Sequence, residues 1–411
     1  MPALLTAFLV WSVLGYGAAR LLDQRQAAAI RAHRDAVPDA FAAVVSPDAH
    51  ARAAAYGLAR LRLRAVSGTL DLLAIFVGLL WGFDFVAGLV SARMGPSVLR
   101  SLVILGLVWL ASGLASLPLA AWRSLVLEQR HGFNRRGPAL FLRDTLMASL
   151  LAVLIGGPVL AGILWAMATL SGAWWIWVWA ALTLAMLAAP ALHVRFIAPL
   201  FNRFTPLRAE MAGPVEALLA RTGFRSGGLF EMDASKRSSR GNAYFIGFGP
   251  TKRIVLFDTL LDAHTPDEIQ AVVAHELGHF HHRHTLTGLL RGIAALFGLL
   301  AAIGWLARQP WLLSGFGIRH PDPALNLLLA VLIAGAVSPL LGLAGNALSR
   351  RHEFQADAFA RELVGAAPMV SALTRLARDN ASTLTPDWLF SLVHDTHPPV
   401  PMRVARLLSP G

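Results

Sequence analysis

The chain has 411 residues, 56% of them hydrophobic, a formal charge of +12 and no cysteine. That apolar content exceeds what one soluble core needs, so part of the chain is expected to face lipid, and the missing cysteines exclude disulfides and thiolate metal ligands. The arginines are spread over many loops with no aromatic-interleaved stripe, which argues against a nucleic-acid partner and for orientation in an anionic membrane.

Apolar runs of about 20 residues, the length that crosses a bilayer core, lie near 2–20, 66–91, 100–121, 147–170, 173–194, 286–307 and 325–346. The first has no basic n-region and carries Arg20 and Arg25 on its far side, so it reads as a retained helix with its N-terminus outside, not as a cleaved signal. Loop 23–65 holds seven arginines and reads as a helical extension or hairpin. The opposite loops hold only Arg93 and Arg100, then Arg308 and Arg319. The positive-inside rule therefore puts 23–65, 122–146, 195–285 and 347–411 in the cytoplasm. Asp71 and Asp84 interrupt the second run and Arg291 the sixth; each is expected to turn toward protein or a water-filled cavity. Lysine occurs only at Lys236 and Lys252, an arginine bias read as a bacterial host and hence an inner membrane.

The expected fold is mainly α and polytopic, with four parts. Residues 1–194 form five membrane helices, 195–285 a cytoplasmic catalytic segment, 286–346 two further membrane helices, and 347–411 a C-terminal catalytic segment. In the second part, 240–248 closed by Gly249-Pro250, followed by a strand from Lys252, reads as a β-hairpin. Thr265-Pro266-Asp267-Glu268 then spells a helix start with a capping box. The helix continues through HELGHFHHRH, 275–284.

On that helix His275 and His279 are four apart, so both imidazoles leave one face and reach one ion. Glu276 follows the first of them, where its carboxylate takes a proton from water without being a ligand. His281, His282 and His284 are expected at the helix end or membrane interface. A catalytic zinc wants three protein ligands and an open position. The candidate for the third is Glu353, four before Asp357 on a segment with apolar neighbours; Asp357 would fix a ligand imidazole. The residues alone leave Glu353 either a ligand or the partner of Arg350 or Arg351. They leave Asn242 either a substrate contact beside an edge strand or a turn residue. His397, before two prolines, is either an oxyanion donor or a loop histidine. A polytopic transporter would share the helices and histidines, but no internal repeat is visible and it gives Glu276 no role; a catalytically silent scaffold would have a broken ligand set, whereas the three candidate ligands and the base are all present.

Taken in order, LEQRHGFNRRGPALFLRD (127–144), APLFNRFTPL (198–207), GNAYFIGFGPTKRIVLFDTLL (241–261), HELGH, EFQADAFA (353–360) and THPPVPMR (396–403) resemble the integral-membrane zinc endopeptidases typified by the type I CAAX prenyl proteases. The HtpX-like quality-control proteases are more distant relatives. The resemblance implies a seven-helix protein enclosing a chamber, with a zincin-like protease domain. One zinc is held by His275, His279 and Glu353, with Glu276 as general base. Asp357 is implied as a catalytic or imidazole-fixing acid and Asn242 as a substrate contact. His397 with Arg403 would lie near the transition-state oxygen or the ligand carboxylate, Arg403 counting among the substrate-binding residues. The expected activity is zinc-dependent hydrolysis of membrane-associated polypeptides with a capacity for prenylated C-termini. The alternative is a quality-control protease without prenyl substrates.

Overall fold

A computed structural model describes residues 1–224, 226–246 and 252–409. Seven helices long and apolar enough to cross a membrane run over Ala3–Ala32, Pro47–Ser91, Val98–Glu128, Pro138–Thr169, Trp174–Phe201, His284–Leu306 and Pro323–Val364. Each contains one of the expected apolar runs, and several extend well past it. Loop 23–65 is a helical hairpin: the first helix continues to Ala32, and the second starts at Pro47, where Ser46 Oγ caps the backbone N–H of Ala49 at 3.2 Å. Leucines such as Leu114, Leu154, Leu184 and Leu341 stand outward and uncovered; hydrocarbon is the solvent that makes such a belt stable.

Polar contacts sort the loops to two ends of the bundle. At one end Arg25 pairs with Asp387 at 2.8 Å, Arg64 Nη2 meets His394 Nε2 at 2.9 Å, Arg237 pairs with Asp144 at 2.9 Å and Arg240 with Glu128 at 2.9 Å. The first two tie 23–65 to 347–411 and the last two tie 195–285 to 122–146, and Tyr56, whose hydroxyl donates to Glu128 Oε1 at 2.8 Å, joins the two sets. At the other end Asp84 accepts from the backbone N–H of Arg319 at 2.7 Å and of His320 at 2.9 Å, and Arg100 pairs with Asp322 at 2.8 Å. Asp84 is thus turned into protein and Asp71 onto a cavity, as an intramembrane carboxylate requires. Arg291 is exposed and donates to the carbonyl of Thr287 on its own helix at 3.1 Å, two turns from the helix start.

The expected hairpin is half of a larger sheet. Strand β3, Ala243–Ile246, pairs antiparallel with β4, Arg253–Phe257, in the register Ala243↔Leu256. Gly247 and Phe248, expected at the end of the first strand, and the closing Gly249-Pro250 lie outside the described residues. Two short strands complete a sheet of order β1-β2-β4-β3: β1, Phe204–Pro206, and β2, Leu229–Met232, which runs parallel to β4. β3 is therefore an edge strand, and it packs beside the helix Pro266–His281.

One apolar core joins 195–285 and 347–411 across the membrane helices between them. Ile254, Leu256, Ile269, Val273 and Leu277 pack with Ala360, Met369, Leu373, Val404 and Leu407. Each large side chain buried there stabilises by about 1.5–3 kcal/mol relative to exposure, so neither segment folds alone as it does with its partner.

The histidine helix starts as its sequence predicts. Thr265 caps Glu268 N, and Glu268 Oε2 accepts from Thr265 N at 2.8 Å. Glu268 also takes Ser371 Oγ at 2.5 Å and Arg375 Nε at 2.9 Å. Burial works to raise its pKa, but Ser371, the Thr265 N–H and Arg375 outweigh it and hold the carboxyl below its ordinary 4.5. A depressed folded-state pKa is stabilising above the unfolded value, and that stabilisation is lost as pH falls through the folded one. Glu268→Ala is accordingly expected to cost about 2–3 kcal/mol at pH 7. Melting curves at pH 7 and pH 3 should show the gap between parent and variant closing in acid.

Candidate metal centre

Two helices build the site. Pro266–His281 carries His275, Glu276 and His279; Pro323–Val364 runs unbroken from the seventh apolar run through Glu353 and Asp357. They cross at Gly278, where a Cβ would lie 2.8 Å from Ala356 Cα, so the glycine permits the approach that brings the two sets of side chains together.

His275 Nε2 and His279 Nε2 lie 3.2 Å apart, and each is 3.4 Å from an oxygen of Glu353. These three form a cluster whose ligand atoms all lie within 4.8 Å of one another. Glu353 is buried and its Oε2 has no hydrogen-bond partner among the described residues. A buried carboxylate with each oxygen facing one imidazole nitrogen, one of those oxygens without a hydrogen bond, fits a bound cation, and two nitrogens with one oxygen are a donor set that suits zinc. Burial pulls the His275 pKa down, yet Asp357 and Glu353 outweigh it and raise it to about 9. The alternative pairing of Glu353 with Arg350 does not occur: Arg350 Nη1 donates to the carbonyls of Leu392 at 3.1 Å and Asp395 at 2.7 Å.

Behind His275 stands a buried clamp. His275 Nδ1 donates to Asp357 Oδ1 at 2.9 Å, which leaves Nε2 with its lone pair turned inward. Arg403 donates to the same carboxylate twice, Nη2 to Oδ1 at 2.6 Å and Nε to Oδ2 at 2.8 Å. Its Nη1 is 3.4 Å from Glu353 Oε2. Of the two places expected for Arg403, it takes the one beside the ligand carboxylate; it is buried, with its donors on Asp357 and Glu353.

Glu276 accepts no hydrogen bond from the described residues. Burial pushes its carboxyl up, His275, His279 and His397 pull it back, and Glu353 adds to the rise. A carboxylate in that state is a ready proton acceptor. His397 Nε2 lies 3.3 Å from Glu353 Oε1, and the ring is exposed to a cavity of about 1300 Å³. The walls come from the first three membrane helices, from 133–141 and 237–240, and from 382–400, with Arg60, Asp71, Arg123 and His394 among them. Asn242 is exposed at the head of β3, its Oδ1 accepting from Ala243 N at 2.9 Å, and it lines a second pocket that shares Arg60 and Arg240 with the first.

The sequence reading missed the partner of His279. His284 is buried, with its Nδ1 3.0 Å from His279 Nδ1 and its Nε2 3.0 Å from Gln355 Oε1. A spacing of five is not a same-face spacing on a helix, and the contact exists because the chain turns at Arg283, whose φ is 56°.

Known proteins resemble this chain along nearly its whole length. Residues 26–203 match the family model described as CAAX prenyl protease N-terminal, five membrane helices, and 207–410 match Peptidase family M48. The chain is 32% identical to the CAAX prenyl protease 1 homolog of Arabidopsis thaliana over 393 residues, 93% of this chain and 92% of that protein. It is 34% identical to the CAAX prenyl protease 1 of Saccharomyces cerevisiae over 337 residues, 77% of this chain and 74% of that one. The crystal structure of S. mikatae Ste24p superposes with a TM-score of 0.90 at 29% identity, covering 99% of this chain and 100% of the other. With an M48 catalytic half, a five-helix membrane half and relatives along nearly its whole length, the chain belongs to the CAAX prenyl protease branch of Peptidase family M48 and is a multi-pass membrane metalloendopeptidase.

Proposed function

We propose that the chain binds one zinc ion through His275, His279 and Glu353. With it the chain hydrolyses peptide bonds of membrane-associated polypeptides, including the C-terminal tails of prenylated proteins. The observation that carries this reading is the convergence of those three side chains, next to His397, whose ring lines a cavity of about 1300 Å³.

Zinc, when bound, supplies Lewis acidity toward the scissile carbonyl and an acidified water. Glu276 takes the proton from the attacking water and returns it to the leaving amine. His397 donates from Nε2 to the oxygen on which charge develops. Asp357 holds the tautomer of His275 and Arg403 holds Asp357. The substrate backbone adds to the free edge of β3, with the Asn242 amide bonding one of its peptide groups. The preference for CAAX-type tails rests on the names of the relatives. The broader reading, proteolysis of membrane polypeptides at large, rests on the size of the cavity and on the arginine bias that suggests a bacterial host.

The same reasoning puts the protein in a bacterial inner membrane with the N-terminus outside and the zinc site on the cytoplasmic side, because the arginine-rich loops and the site share one end of the bundle. Lipid is then the partner of the exposed belt. No nucleic-acid partner is expected, since Arg25, Arg64, Arg237 and Arg240 are engaged within the fold.

The test combines metal analysis with a substrate panel on detergent-purified protein. About one zinc per chain is expected, with cleavage that a chelator abolishes and added zinc restores. The panel holds a farnesylated CAAX peptide, its unprenylated counterpart and an unfolded membrane-protein fragment. Metal-free protein that cleaves as well as the loaded form would sink the mechanism. Whichever substrate is cut ranks the two readings of its range.

A further inference from the structure

We propose that His284, itself oriented by Gln355, is the positioning residue that fixes the tautomer and plane of His279 for the metal. The proposal rests on the zinc reading above and concerns side chains that reading does not use. A ligand imidazole presents a lone pair from Nε2 only when its proton sits on Nδ1, and that proton needs an acceptor. For His275 the acceptor is Asp357. For His279 no carboxylate stands behind Nδ1 among the described residues; His284 Nδ1 does, at 3.0 Å.

The proton positions follow from one atom at the far end. Gln355 Oε1 is a carbonyl oxygen and only accepts, so His284 Nε2, 3.0 Å away, carries the proton. The neutral His284 ring then has its lone pair on Nδ1 and accepts from His279 Nδ1–H. His279 Nε2 is left as a base, facing Glu353 at 3.4 Å and His275 at 3.2 Å. Burial and the ring of His352, stacked on His284 at 3.8 Å and 10°, leave its plane little freedom.

The backbone supports the same assignment. Arg283 adopts φ 56°, ψ 30° at the break between the histidine helix and the sixth membrane helix. A non-glycine residue there costs free energy and persists where the surroundings impose it. What the turn achieves is to swing the first residue of the next helix back onto His279. His281 and His282 are exposed, and no metal cluster among the described residues includes them.

Two substitutions separate positioning from bulk. His284→Phe keeps the ring and the stack on His352 but deletes the acceptor; His284→Asn keeps an acceptor oxygen close to the Nδ1 position. Zinc affinity is read by competition with a chromogenic chelator, and the unfolding midpoint is read on zinc-free protein. His284→Phe is expected to bind zinc about 10- to 100-fold more weakly than the parent. His284→Asn should recover most of that loss, both zinc-free midpoints should stay near the parent's, and excess zinc should restore cleavage by His284→Phe. An affinity of His284→Phe within about threefold of the parent, below the range set by outer hydrogen bonds to metal ligands, overturns the assignment, as does an equal loss in both variants. If His284→Phe does not fold, Gln355→Met removes the acceptor one step out and is expected to weaken zinc several-fold; an unchanged affinity there overturns it as well. A parent protein that binds no zinc would instead overturn the reading on which this one stands.

Discussion

Replacing Glu276 by glutamine is expected to lower kcat by about 10²- to 10⁴-fold, the range for loss of a general base, with the zinc content unchanged. The two parts of this expectation come from different observations. Glu276 is not in the cluster of converging ligand atoms, which is His275, His279 and Glu353, so an isosteric neutral side chain leaves the metal its full set. Nor does the carboxylate accept a hydrogen bond from any described residue, so the amide breaks no bond within the fold. What glutamine lacks is the proton affinity that burial has raised in Glu276. Metal analysis and single-turnover cleavage by the same preparation check both halves. A fall in zinc per chain would make Glu276 a ligand, and a loss of less than tenfold would place the base elsewhere.

Much of this arrangement is legible from residue order because it is local. Seven apolar runs locate seven helices; hydropathy misses only how far the helices continue beyond lipid, as over 47–64, which is rich in the helix formers alanine, leucine and arginine but has no continuous apolar run. The capping box at Thr265 and the spacing of His275 and His279 are properties of one helix and are read directly. Glu353 and Asp357 are visible as a carboxylate pair on one face. Their role is not visible, because nothing local separates a ligand from a surface partner of Arg350; the choice is made where Arg350 bonds the carbonyls of Leu392 and Asp395. The strands β1 and β2 are three and four residues long, too short for period-two alternation, and β2 gains its meaning only from parallel pairing with β4. His284 is the least legible of all. Its contact depends on a left-handed Arg283, and no sequence periodicity encodes a return across that turn.

The second large effect is expected at Gly278, the fourth residue of HELGH. In a helix interior, alanine for glycine is worth up to about 1 kcal/mol in favour of folding, so the substitution would be benign if there were room. There is none: the new Cβ would stand 2.8 Å from Ala356 Cα, 3.1 Å from Ala356 O and 3.2 Å from Phe359 Cβ, against about 3.5–4.0 Å for carbon atoms at rest. Two of the three atoms belong to the backbone of the long Pro323–Val364 helix, so the strain is relieved by parting the helices by a fraction of an ångström to about 1 Å. Glu353 lies one turn from Ala356 and moves with it, away from both imidazoles. Metal–ligand distances tolerate only about 0.2 Å, so the third ligand is lost before the fold is. Gly278→Ala is therefore expected to fold with a zinc-free midpoint close to the parent's, to lose most of its zinc, and to lose at least about 10²-fold in activity. Gly298→Ala, on the sixth membrane helix where nothing lies within 4 Å of the new Cβ, is the control and should retain both zinc and activity. If Gly278→Ala held one zinc as tightly as the parent and cleaved as fast, the two helices would have to be free to slide past that crossing, and the glycine would not be what brings Glu353 to the histidines.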